Sequence, residues 1–109
     1  MPTTYKVLGQ INPSANTATT LYTVPSATQT VVSTITIANL ASSTAIFNIA
    51  IRPAGATLAN QHYIAYNITV GASDTTSLSL GITMGATDVI TVTASSATVS
   101  FAAFGSELS

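Results

Sequence analysis

Cysteine and tryptophan are both missing from this chain, and only five side chains carry a charge: Lys6, Arg52, Asp74, Asp88 and Glu107. Each shortage excludes something. Without cysteine there is no disulfide framework, no thiolate nucleophile and no cysteine-based metal site. Neutralising phosphates takes clusters of Lys and Arg, so two isolated cations argue against a nucleic-acid partner. A soluble domain carries about a quarter charged residues, whereas this one carries 5%. Long apolar runs are also missing, and none approaches the ~20 residues that span a bilayer, so no membrane partner is expected. The opening MPTTYKVLGQ holds one Lys and no apolar stretch. No secretory signal is read there, which predicts a chain that is cytoplasmic or delivered within a larger assembly.

Ala, Ser and Thr make up nearly half of the 109 residues. The solvent face must therefore be built of hydroxyls and methyls. Such a face desolvates cheaply against another protein, where a charged one costs far more to bury. The composition favours a domain packed against copies of itself or against a scaffold.

The strongest pattern runs from Val31 to Arg52. Val31, Ile35 and Ile37 alternate with Thr34 and Thr36; after Ala41–Thr44, Ala45, Phe47, Ile49 and Ile51 alternate with Asn48 and Arg52. A period of two puts each apolar set on one face of a strand, and the two runs are expected to pair as a hairpin forming one wall of the core. The remaining strands are read at Leu21–Val24, His62–Val70, Thr76–Ile82, Asp88–Ala94 and Val99–Ala103, with residues 1–13 as an N-terminal arm or edge strand and 14–109 as the domain. Ile64, Tyr66, Ile68 and Val70 are expected on one face of their strand, as are Thr76, Leu78, Leu80 and Ile82. The segment Arg52–Gln61 is the longest loop. About eight short antiparallel strands with frequent turns predict an all-β single β-sandwich, jelly-roll or immunoglobulin-like.

Chemistry is scarce. His62 has no Asp, Glu or Cys beside it, and zinc wants three or four protein ligands. No G-x-S-x-G motif accompanies it. Asp74 and Asp88 sit in or beside turns, where Asp bonds backbone amides, rather than as a catalytic pair. No catalytic residue, metal site or cofactor is expected, and the chain is read as non-enzymatic. Arg52 reads equally as a structural residue or an interface anchor. Tyr63 and Tyr66 are expected on opposite faces of their strand. Four tyrosines without Trp make a poor carbohydrate platform, although Asn60-Gln61-His62-Tyr63 is the one cluster that combines an aromatic with hydrogen-bonding neighbours. Asn67-Ile68-Thr69 matches a glycosylation sequon and is read as coincidence.

The run LYTVPSATQTVVSTITIANLASSTAIFNIAIRPAG, with NQHYIAY, LGITMGATDVITV and a terminal FGSEL, resembles small virion structural proteins of tailed phages, including cyanophages. The resemblance spans about Tyr5 to Leu108, and its motifs are structural. It implies a β-sandwich of the particle, a capsid decoration or cement protein that binds the major capsid protein and copies of itself as a homotrimer on the head surface. The alternative it leaves is a tail-, neck- or fibre-associated module that binds tail proteins or a host-surface glycan. The expected contact residues are Tyr5 and Lys6 in the N-terminal arm, and Arg52, Asn60, Gln61, His62 and Tyr63 in and after the long loop.

Overall fold

Alternation of β-branched with hydroxyl side chains yields nine strands among the described residues. A computed structural model describes residues 3–79 and 81–109. The strands are β1 (Thr3–Ile11), β2 (Thr19–Thr23), β3 (Gln29–Asn39), β4 (Ala45–Arg52), β5 (Tyr63–Val70), β6 (Thr75–Leu78), β7 (Ile82–Met84), β8 (Val89–Ala94) and β9 (Val99–Leu108). The only helical pieces among the described residues are single 3-10 turns at Pro53–Gly55 and Asn60–His62. The expected strand Thr76–Ile82 is divided into β6 and β7, and Leu80, like Met1 and Pro2 of the expected arm, lies outside the described residues.

The first sheet runs β1-β9-β3, with β6 and β7 both paired to the far side of β3; the second runs β2-β8-β4-β5. All pairings are antiparallel. β1 pairs with β9, β2 with β8, β3 with β6 and β7, and β4 with β5. The chain is thus one long ribbon, turned back at the β4–β5 connection and rolled until β9 meets β3 and β8 meets β4. This is the order of a jelly roll with one position divided in two, and it excludes the immunoglobulin order.

The expected hairpin of Val31–Arg52 does not form. β3 lies in the first sheet and β4 in the second, so each run supplies one of two opposed walls. Ile35 and Ile37 on one side and Phe47 and Ile49 on the other are fully buried. Phe47 of β4 meets Phe101 of β9 edge-to-face across the sandwich, with ring centroids 6.1 Å apart, a favoured aromatic geometry. The hairpin instead joins β4 to β5 through residues 53–62. Two strands with strong apolar faces bury both most completely by facing each other.

Bulges change the phase of several strands. In β3 the register shifts between Val32 and Thr34, so Thr30, Val32, Ile35, Ile37 and Asn39 point inward and Val31 is 44% exposed. Gly105 of β9 lies opposite Val32, and a Cβ there would collide with the carbonyl of Val31. The last expected strand, Val99–Ala103, runs on to Leu108: Phe104–Leu108 is the second half of β9, which lies between β1 and β3.

Candidate functional site

Arg52 closes β4, and its guanidinium is held by the fold. Nε donates to Thr91 Oγ1 at 2.9 Å, and Nη1 donates to the carbonyls of Ala56 at 3.0 Å and Gly55 at 3.3 Å. Asp88 fastens the same corner, its carboxylate accepting the N–H groups of Ala54 at 2.8 Å and Gly85 at 2.9 Å. Further along the loop, His62 Nδ1 accepts the N–H of Ala59 at 3.1 Å, while the N–H of His62 donates to the Ala59 carbonyl at 3.0 Å. A single turn locked this way fixes the departure of β5 and leaves Asn60 and Gln61 exposed.

β5 is where the sequence reading changes most. Ala50 pairs with Tyr63, Ile49 with Ala65 and Phe47 with Ile68, so two bulges interrupt the register. Asn67 takes a left-handed φ of 52°, and its N–H donates to Asn48 Oδ1 at 2.6 Å. Asn tolerates that region better than most residues. The consequence is a correction: Ala65 and Val70 point inward, whereas Ile64, Tyr66 and Ile68 are exposed. Tyr63 and Tyr66, expected on opposite faces, instead meet edge-to-face with centroids 5.0 Å apart and planes at 70°. With Asn60 they line a hollow of about 270 Å³. Tyr63 stands opposite Ala50, whose exposure is only 1%.

Tyr5 and Lys6 belong elsewhere. β1 is an edge of the first sheet. Register sets Tyr5, Ser106 and Val31 in one row across β1, β9 and β3, and Val7 beside Phe104. Tyr5 is 84% exposed, and Val7 and Val31 are also exposed. Together with the half-buried Phe104 they form an uncharged apolar area on the outer face of this sheet. Beside it a trough of about 340 Å³ runs over Gln10, Thr36, Ala38, Ser100 and Ala102. The seven residues expected to make contacts therefore divide between two sheets: Arg52, Asn60, Gln61, His62 and Tyr63 gather at one corner, and Tyr5 and Lys6 lie on β1.

Sequence reasoning missed a polar group between the sheets. Tyr22 of β2 donates its hydroxyl to Glu107 Oε2 of β9 and shares a 2.8 Å hydrogen bond with Thr30 Oγ1 of β3. Lys6 Nζ pairs with Glu107 Oε1 at 3.4 Å. Burial first, then the hydrogen bond to Glu107, pushes the Tyr22 hydroxyl up to about 12. Tyr66 is expected on the face opposite Tyr63, and the signal for the bulge that brings them together is an Asn in the middle of a strand, since Asn is depleted there. Among the described residues no three His, Asp or Glu side chains gather as metal ligands would.

Compared with known protein families and with curated proteins, the chain matches no family model and no curated sequence.

Proposed function

We propose that the chain is a non-catalytic structural subunit of a phage particle, a decoration protein that lies across capsomers and cements the head. The observation that carries this reading is where its few charges go. Lys6 and Glu107 pair with each other, Arg52 is bonded to its own corner, and Asp74 and Asp88 accept backbone N–H groups. That leaves the outer face of the first sheet uncharged, with Tyr5, Val7 and Val31 exposed. Desolvating such a face against a protein lattice costs little. A specific contact buries about 1,600 Å² in total, and many copies add avidity. Jelly rolls recur in capsid and lectin domains, which supports the reading only as analogy.

The test is electron microscopy of purified particles with a labelled antibody against the chain. Label spread over the head, with particles lacking the chain releasing DNA at lower temperature, is the expected result. Label confined to the neck or tail overturns the cement reading and moves attention to the tyrosine hollow.

A further inference from the structure

The hollow beside β5 is assembled from residues that ordinary strand geometry would keep apart. The two bulges set Tyr66 against Tyr63, and the locked turn at Asn60–His62 adds Asn60 to the rim. Both supports are fastened before any ligand arrives, through Asn48 to the Asn67 N–H and through His62 to the Ala59 N–H. Preorganisation of this kind removes part of the cost of binding.

We propose that this hollow binds one uncharged sugar residue of a glycan. Tyr66, 59% exposed, presents aromatic surface held in place by Tyr63, and the C–H face of a pyranose stacks on such surface. Asn60 supplies both a donor and an acceptor for ring hydroxyls. No charged side chain lines the hollow among the described residues. The nearby guanidinium of Arg52 is bonded to Thr91, Gly55 and Ala56, so nothing there compensates an anionic group. A cationic ligand finds no carboxylate among the lining residues. The volume, about 270 Å³, falls just below the roughly 300–1,000 Å³ of ligand pockets, which suits a single ring better than an extended peptide. The site lies on the second sheet, so it stands or falls independently of the cement role assigned to the outer face of the first.

The experiment follows the backbone amide shifts of the nitrogen-labelled chain during titration with methyl glycosides of glucose, galactose, mannose and N-acetylglucosamine. A glycan array comes next. At least one neutral sugar is expected to give saturable shifts centred on residues 60–68. Tyr66→Ala should weaken that binding by about tenfold with the spectrum still dispersed as for a folded chain, Tyr66→Phe should retain it, and Asn60→Ala should reduce it. Several results overturn the proposal: no shift with any sugar, shifts centred elsewhere, or binding unchanged in Tyr66→Ala. Array signal restricted to sulfated or sialylated glycans overturns it as well. So do shifts at 60–68 produced by a polyproline peptide or tetramethylammonium when no sugar produces them.

Discussion

Asn39 and Glu107 mark opposite ends of the same strand pair, and each ties the two sheets together by a different chemistry. Thr30, the partner of Glu107 in register, stands about 30 Å from Asn39 along β3 at ~3.4 Å per residue. At one end the Asn39 amide, 2% exposed, donates to the carbonyls of Ser43 at 2.8 Å and Gly71 at 3.2 Å, and accepts from the Ala41 N–H and the Thr98 hydroxyl. It holds the crossing from β3 to β4 beside the turn before β6 and the turn before β9. At the other end, Glu107 accepts from Tyr22 on the facing sheet and from Lys6 on β1. One clamp is neutral and has every partner inside the protein. The other is ionisable and opens toward solvent. A neutral clamp holds the sandwich at any pH, whereas an ionisable one makes that end conditional.

The largest effect is expected at the neutral clamp. Asn39→Ala removes a buried amide and leaves two carbonyls and an N–H without their partner at a part-buried crossing, and each unsatisfied buried group costs about 1–3 kcal/mol. A loss of about 3 kcal/mol or more in urea unfolding is expected, equal at neutral and alkaline pH. A loss below about 1 kcal/mol would mean that water or backbone rearrangement replaces the amide, and the two ends would then differ less than their hydrogen bonds indicate.

The alternation of side chains was enough to read the all-β sandwich, because one buried face leaves a period-two mark on most strands. It put Ala45, Phe47 and Ile49 on one face of their strand, and all three are buried. It misread pairing, since Val31–Arg52 looks the same whether its halves lie side by side or face to face. The buried Asn39, with one polar side chain bonding three separate turns, distinguishes a crossing from a hairpin, and two of its partners, Gly71 and Thr98, lie far away in sequence. Phase failed wherever a bulge intervened. Val31-Val32 and Tyr63–Tyr66 each admit two phases, and bulges chose the one that buries Val32 and Ala65. The residues expected to make contacts at the Arg52 corner are legible as a cluster; Tyr66 and the Tyr22–Thr30–Glu107 group depend on register and on long-range pairing.

The second effect sharpens the contrast through pH. The Tyr22 hydroxyl is pushed up from 10.0 to about 12, chiefly by burial. Below pH 10 both folded and unfolded chains keep this proton, and the stabilisation is fully present. As pH rises from 10 toward 12 the unfolded chain loses the proton first, so stability falls by ~1.4 kcal/mol per pH unit, or about 2–3 kcal/mol across the window. Urea midpoints measured from neutral to alkaline pH should show this decline in the native chain and in Asn39→Ala alike. Tyr22→Phe should remove it, at the cost of about 1–3 kcal/mol at neutral pH from the unpaired Glu107 and Thr30 groups. An alkaline decline of undiminished size in Tyr22→Phe would assign the pH response to other groups.

The smallest effect separates charge from hydrogen bonding within the ionisable clamp. The Lys6 side chain is 44% exposed, and its contact with Glu107 is 3.4 Å long. Exposed pairs of this kind contribute about 0–1 kcal/mol, and salt screens them. Lys6→Ala is therefore expected to cost less than about 1 kcal/mol, with the difference from the native chain shrinking as salt is added. Tyr22→Phe, which removes an internal hydrogen bond, should keep its cost in the same salt series. If Lys6→Ala instead rivals Tyr22→Phe and its cost fades in salt, the ion pair orients Glu107 for Tyr22. The clamp is then assembled from the surface inward, and the conditional end of the sandwich answers to ionic strength as well as to pH.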